Sequence, residues 1–286
     1  MRSGRAGRLT AAVVAGVLLL GACGGDDDDA GGGGSGDTSA ATEPPPPLQI
    51  LVTNDDGFDA VGIDALVEAL RVEPGVEVTV VAPATNQSGT GDKTTAGPLE
   101  SSEEQTTSGF PATAVVGFPA DSVLTALDEL GVEPDLVMSG INVGENIGPV
   151  AGVSGTVGAA KTAQRRGIPA LAISQGSGAE DADYATTAQL AVDWLDEHRG
   201  ELDTLAESDE IASLNVPTCP AGESRGVVET ALGTDGQRVS DPVDCTTDVS
   251  EADLPDDITA FHNGYAALTP VPMGEQPEPV PATAGT

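Results

Sequence analysis

Aromatic side chains are scarce: one Trp, two Tyr and four Phe make up 2% of 286 residues. A chain so poor in rings offers neither base-stacking platforms nor a Trp/Tyr-rich recognition face. Basic residues are thin as well, with 11 Lys and Arg against 46 Asp and Glu and a formal net charge of −35. Nucleic acid and anionic lipid surfaces both require clustered cations to displace counterions, so this balance argues against either. Two histidines, His198 and His262, leave little room for a multi-His metal centre. The three cysteines, Cys23, Cys219 and Cys245, contain no C-x-x-C, which rules out a Cys-rich zinc site. What the chain does have is small aliphatic residues. Hydrophobic residues reach 39%, enough for the core of one large α/β domain or two small ones.

The N-terminus has the parts of an export signal. Arg2, Arg5 and Arg8 precede an apolar run from Ala11 to Leu20, followed by Leu20-Gly21-Ala22-Cys23. The run is too short for a comfortable membrane span. Small residues ending in Cys resemble the bacterial lipobox, which implies cleavage before Cys23 and lipidation of its thiol. Residues 23–47 then read as a linker of four aspartates (Asp26 to Asp29), a glycine run (Gly31 to Gly34) and Pro44 to Pro47. Such a segment lacks the apolar groups that repay ordering entropy, so it is expected to be a solvated spacer holding the domain off a membrane. The Pro-rich end, residues 271–286, is expected to be an unstructured tail. The expected organisation is therefore a lipoprotein signal over 1–22, a linker over 23–47, a folded domain over 48–270 and the tail, with an extracytoplasmic, lipid-anchored location.

Between linker and tail, strand-like and helix-like patterns alternate. Leu48 to Thr53 is a β-branched apolar run, and Ala60 to Val72 then sets Ile63, Leu66, Val67 and Leu70 at helical spacing. Further strands are expected at Val76–Ala82, Ala114–Val116, Asp135–Met138, Ile168–Ser174, Ile211–Val216 and Val227–Leu232. Helices are expected at Asp121–Leu130, Gly155–Arg166 and Tyr184–His198. Near-continuous apolar strands alternating with helices imply an α/β fold: a Rossmann-like parallel sheet covered on both faces, a three-layer sandwich.

In such sheets ligands bind beyond the carboxyl ends of the strands. Four loops there carry unusual sequences: Thr53-Asn54-Asp55-Asp56-Gly57, Ala82 to Gly89, Ser139 to Asn146, and Ser154-Gly155-Thr156. Adjacent carboxylates with hydroxyl and amide oxygens form a hard, all-oxygen donor set suited to Mg²⁺ or Mn²⁺. Ser154-Gly155-Thr156 opens a helix, whose free N–H groups and dipole favour phosphate. A divalent cation beside a phosphate cradle is the arrangement for phosphoryl transfer to water.

These loops resemble the SurE family, the stationary-phase survival proteins that act as metal-dependent nucleotidases. The matching blocks are Ile50 to Gly57, Val81-Ala82-Pro83 with Asn86 to Gly89, Ser139 to Asn142 with Gly144 and Asn146, and Ser154 to Ala160. Gly264-Tyr265 to Thr269-Pro270 is similar to the family's late segment. The resemblance implies metal ligation by Asp55, Asp56, Ser88 and Asn142, with the two aspartates central to catalysis. It also implies phosphate contacts from Asn54, Asn146, Ser154, Gly155 and Thr156. The implied fold is SurE-like with a C-terminal β extension. The implied activity is a phosphomonoesterase for nucleoside 5′- or 3′-monophosphates, assembled as a homodimer or homotetramer. Two stretches depart from the family pattern: Pro149-Val150 after Gly148, where acidic residues are usual, and Thr90 to Lys93 after Gly89.

Other chemistries find no motif. No G-x-S-x-G elbow occurs, and neither histidine lies in the four loops, which argues against a Ser-His-Asp hydrolase. His198 closes a helix, and Trp194 sits among leucines as a core residue. No G-x-G-x-x-G follows the first strand. Two readings stay open: a nucleotidase, or an envelope lipoprotein that binds a phosphorylated metabolite without turnover. Export adds one further expectation, a Cys219–Cys245 disulfide, because thiols outside the cytoplasm oxidise and stay oxidised.

Overall fold

Leu48–Thr53 forms β1, and its inner residues Leu51 and Val52 are wholly buried, as a strand covered on both faces requires. The computed structural model describes residues 45–177 and 182–281. The signal-like segment, Cys23 and nearly all of the linker lie outside the described residues.

β1 is followed by α1 (Val61–Leu70), β2 (Val76–Pro83), β3 (Thr95–Ala96), β4 (Ser101–Gln105), β5 (Pro111–Val115) and α2 (Pro119–Leu124), which runs on as a π-helical turn over Thr125–Glu129. Then come β6 (Leu136–Val143), α3 (Gly155–Arg165), β7 (Ala170–Gln175), α4 (Tyr184–His198), α5 (Leu202–Ala206), β8 (Glu210–Val216) and β9 (Val227–Glu229). The described chain closes with α6 (Asp257–His262), β10 (Ala266–Pro272) and β11 (Val280–Pro281). Nine strands make one sheet in the order β4-β5-β2-β1-β6-β7-β8-β10-β9. β5 to β8 run parallel within it, whereas β4 on β5 and β10 on β8 are antiparallel.

Each face is covered by helices. Ile63, Leu66, Val67 and Leu70 of α1 join Ala188, Ala191 and Trp194 of α4 in one core. Val123 of α2 and Val157, Ala160 and Ala163 of α3 form the other. Burying a Val- or Leu-sized side chain stabilises by roughly 1.5–3 kcal/mol, so these two layers carry the fold. Gly62 lets α1 reach the sheet, since a Cβ there would lie 1.9 Å from the Ile141 carbonyl oxygen. No helix among the described residues is long and apolar enough to cross a membrane.

The expectation of an unstructured tail from residue 271 needs correction. Val271 and Pro272 complete β10 against Ile211 and Glu210, and Val271 is buried. Val280 and Pro281 pair with Thr95 and Ala96. The prolines are tolerated because β9 pairs β10 only through Leu268, so the later residues of β10 form a free edge on that side.

Strand order places the site. The chain leaves β1 towards β2 on one side and reaches β6 on the other, so the direction of winding reverses between β1 and β6. Open α/β sheets leave a crevice outside the strand ends at this switch point.

Candidate active site

Asn54, Asp55 and Asp56 follow β1 directly and so stand at the switch point, with Asn142 the penultimate residue of the neighbouring β6. Asp55 is only 2% exposed. Its Oδ1 accepts the Thr156 hydroxyl at 2.8 Å, and its Oδ2 accepts the Thr156 backbone N–H at 3.2 Å. Asp55 therefore sits on the N-terminus of α3, where the helix dipole favours an anion. Gly155 permits this, because a Cβ at that position would fall 2.7 Å from the Asp55 Cβ.

Asp56 is less buried and held by two donors. Val143 N–H gives to Oδ2 at 2.8 Å, and Asn86 Nδ2 gives to Oδ1 at 2.7 Å. The loop after β2 is thus laid across the aspartates. Gln87 N–H also donates to the Asp55 carbonyl at 2.6 Å, and Asn86 Oδ1 accepts from Ser88 N–H at 3.0 Å. Ser88 is left exposed on this loop. Asn142 uses its Nδ2 on the Gly144 carbonyl at 2.6 Å. Among the described residues, Ser88 Oγ and Asn142 Oδ1 make no hydrogen bond, so both neutral oxygens are free to donate.

The electrostatics follow from burial. Desolvation pushes the Asp55 carboxyl up to about 6, partly countered by the Thr156 hydroxyl, with Asp56 repulsion adding to the rise. Asp56 is also raised by burial, against the pull of Val143 N–H and Asn86. Two carboxylates that resist ionisation side by side are relieved by a cation. The donor set fits a hard divalent ion: two carboxylates, a hydroxyl and an amide carbonyl, all oxygen. Among the described residues no group of three or more His, Cys, Asp or Glu side chains is arranged to hold a metal. A cation at this site therefore depends on the neutral oxygens of Ser88 and Asn142 to complete its shell.

The phosphate-contacting positions divide. Asn54 is fully buried, its Oδ1 accepts Gly57 N–H at 3.1 Å, and its Nδ2 has no partner. Gly155 is the first residue of α3, where the N–H groups of the first turn have no partner within the helix. These two donors remain for an anion. The other three already have partners within the protein, with the Ser154 hydroxyl hydrogen still left to donate. Thr156 spends both its donors on Asp55. Ser154 caps α3 by accepting Val157 N–H at 3.1 Å. Asn146 donates its Nδ2 to Ser174 Oγ at 2.9 Å and its N–H to Asn215 Oδ1 at 2.7 Å. Buried polar groups are seldom left unpaired, and these found partners within the protein.

Several supporting residues had no visible role in the sequence. Asn86 lay in a matched block without an assignment, although it holds Asp56. Asp257 accepts N–H groups from Gly148, Gly233 and Ile258 at 2.7–2.8 Å, and so fixes the turn after Asn146 from 109 residues away. His198 ends α4 with Nδ1 2.8 Å from the Trp194 carbonyl, and its ring stacks on the buried Trp194. Neither touches the site. Cys219 and Cys245 are joined in a disulfide with Cα atoms 5.7 Å apart.

The family model described as Survival protein SurE matches residues 50–238, which span β1 to the segment after β9. The chain belongs to the SurE family. A relative described as 5′-nucleotidase SurE from Brevibacillus brevis is 35% identical over 245 residues, covering 78% of this chain and 90% of the relative. Another with the same description, from Carboxydothermus hydrogenoformans, is 42% identical over 193 residues, or 65% of this chain and 71% of that protein. The crystal structure of the SurE protein from Aquifex aeolicus superposes with a TM-score of 0.63 at 31% identity, covering 79% of this chain and 93% of that one. The likeness thus extends over the mostly parallel α/β sandwich.

Proposed function

We propose that this SurE-family protein is a divalent-cation-dependent phosphomonoesterase that hydrolyses nucleoside 5′- or 3′-monophosphates. The observation that carries the reading is the adjacent Asp55–Asp56 pair at the switch point, with Asp55 buried on the N-terminus of α3 and Asp56 held by Val143 N–H and Asn86. The 5′-nucleotidase descriptions of its relatives support the same reaction class. A protein that only bound a phosphorylated metabolite has no use for two adjacent carboxylates beside an anion site, since they repel the phosphate.

Asp55, Asp56, Ser88 Oγ and Asn142 Oδ1 would hold Mg²⁺ or Mn²⁺. Such a cation neutralises charge on the phosphoryl oxygens and makes water acidic enough to attack near neutral pH. The protein does the positioning. Asn54 Nδ2 and Gly155 N–H give donors to phosphoryl oxygens at fixed places, so charge developing in the transition state meets preorganised dipoles. Thr156 holds the Asp55 carboxylate in one orientation, and Asn86 with Val143 N–H does the same for Asp56.

The lipobox-like Leu20 to Cys23 supports a lipid anchor outside the cytoplasmic membrane, and the family resemblance supports assembly as a homodimer or homotetramer. Phosphate release is to be measured from a panel of nucleoside 5′- and 3′-monophosphates with Mg²⁺, with Mn²⁺ and with excess chelator. Metal-dependent release is expected. Release undiminished in chelator, or none from any nucleotide, overturns the reading.

A further inference from the structure

Asn142, Ser174 and Asn215 are the penultimate residues of β6, β7 and β8 and stand in register across the three strands. The chain leaving β6 then binds back to the two neighbours through Asn146. Its N–H donates to Asn215 Oδ1 at 2.7 Å, and one hydrogen of its Nδ2 goes to Ser174 Oγ at 2.9 Å. Asn215 is turned for this task, because its own Nδ2 donates to Ser213 Oγ at 3.2 Å and leaves Oδ1 as the acceptor. Two residues on, Gly148 N–H donates to Asp257 Oδ2 at 2.8 Å. The other oxygen of that carboxylate accepts from Gly233 and Ile258. Ser174 is 1% exposed, and Asn215 and Asp257 are wholly buried.

A turn at the surface would leave its N–H groups to water, whereas here each goes to a buried acceptor. Such bonds contribute little net stability, since water made them as well in the unfolded chain. What a paired buried network supplies is one geometry. The geometry supplied here is that of Asn146. A primary amide carries two N–H bonds, and with Ser174 taking one, the direction of the other is fixed. The turn has no slack either: Gly148 lies at φ +50°, and a Cβ there would fall 2.6 Å from Ile258 Cδ1 of α6. A donor already held in place loses no side-chain freedom when an anion arrives, so its whole interaction counts towards binding.

We propose that Ser174, Asn215 and Asp257 are positioning residues that act through Asn146, aiming the second hydrogen of its Nδ2 at the phosphoryl group of the substrate. The proposal rests on the phosphomonoesterase reading for the role of Asn146. It adds that three residues from β7, β8 and α6, none touching substrate, set the affinity for it.

A double-mutant cycle separates positioning from support of the fold. Ser174→Ala removes only the hydroxyl, and Asp257→Asn keeps the volume. Each is measured alone and in an Asn146→Ala background, with Mn²⁺ present. Alone, each is expected to raise KM for nucleoside monophosphates about fivefold, as loss of one hydrogen bond does, with kcat and Mn²⁺ affinity within twofold of wild type. In the Asn146→Ala background the same changes are expected to leave KM unmoved. A role confined to stability would instead lower the melting temperature and act equally in both backgrounds. Coupling below threefold between Ser174→Ala and Asn146→Ala overturns the proposal, as does an effect carried by kcat or by Mn²⁺ affinity. That variant decides the matter if Asp257→Asn fails to fold. Where no nucleotide is hydrolysed, the same cycle is read in the dissociation constant for inorganic phosphate. Coupling there supports the positioning role and defeats the phosphatase reading, and hydrolysis without coupling does the reverse. A wild type that neither hydrolyses nucleotides nor binds phosphate overturns both.

Discussion

Thr156 donates twice to Asp55, its hydroxyl to Oδ1 at 2.8 Å and its backbone N–H to Oδ2 at 3.2 Å. The family resemblance implies a phosphate contact from Thr156, and the structure shows that its two donors also orient the Asp55 carboxylate. Hydrogen bonds to a charged group contribute roughly 1.5–3 kcal/mol, and about 1.4 kcal/mol is tenfold. Thr156→Val keeps the shape and the N–H but removes the hydroxyl. Turnover is expected to fall about tenfold or more and the metal dissociation constant to rise with it. A variant that raised KM for phosphate esters with metal affinity unchanged would return Thr156 to the phosphate.

Asp55 and Asp56 carry the only formal charge in the proposed ligand set. Asp55→Asn keeps the volume and removes half of that charge. Turnover is expected to drop at least ~10²-fold, a loss of about 2.7 kcal/mol in transition-state stabilisation. Circular dichroism should show the fold intact. An Asp55→Asn protein as active as wild type refutes the assignment.

The legible part of this site was local. β1 and the residues at its end read directly, because an apolar run closing in Asn54-Asp55-Asp56-Gly57 is a contiguous signal. The buried stripe of α1, Ile63, Leu66, Val67 and Leu70, was equally plain from helical spacing. β4 was not foreseen: Ser101 to Gln105 is exposed at every position and therefore shows no alternation, being an acidic edge strand. Asp257 and Asn215 escaped notice for another reason. Their partners, Gly148 and Asn146, are 109 and 69 residues away, and no pattern along the chain marks a hydrogen bond of that span.

The raised Asp55 gives a pH dependence of known sign. In the metal-free protein its folded value of about 6 exceeds the ordinary 3.8, so folding favours the neutral acid. Its stabilising contribution is complete below about pH 4 and is lost as pH rises through about 6. Asp55→Asn lacks that loss. In chelator, its melting temperature relative to wild type is expected to climb between about pH 4 and pH 7. Metal must displace the same proton, so wild-type affinity for Mn²⁺ should fall about tenfold per unit below pH 6. A melting difference that is flat across this interval contradicts the burial of Asp55.

The Cys219–Cys245 disulfide closes a loop with a sequence separation of 26. Restricting a loop of that length in the unfolded chain contributes about 3.5 kcal/mol. Cys245 is buried and packs on Gly264, at whose position a Cβ would lie 2.6 Å from the Cys245 Cα, so the bond also pins the turn before β10. Cys219→Ser should lower the melting temperature markedly in non-reducing buffer, and reductant should do the same to wild type. Peptide mapping of protein from its native compartment is expected to recover the two residues linked. Free thiols at both positions would reject this.

The proposed lipid anchor rests on Cys23. Three arginines, a short apolar run and Leu20-Gly21-Ala22-Cys23 are the parts of an export and lipidation signal. A single acyl chain gives only marginal membrane binding, so stable anchoring requires more than one chain at the modified cysteine. In a bacterial host, Cys23→Ser is therefore expected to abolish acyl labelling and move the protein out of the membrane fraction. Its nucleotidase activity should be retained, because none of the proposed ligand or phosphate-contacting residues lies in the linker. Full-length wild-type protein found in the cytosolic fraction would show that the segment is not an export signal, and the case for an oxidised Cys219–Cys245 pair in the cell would fall with it.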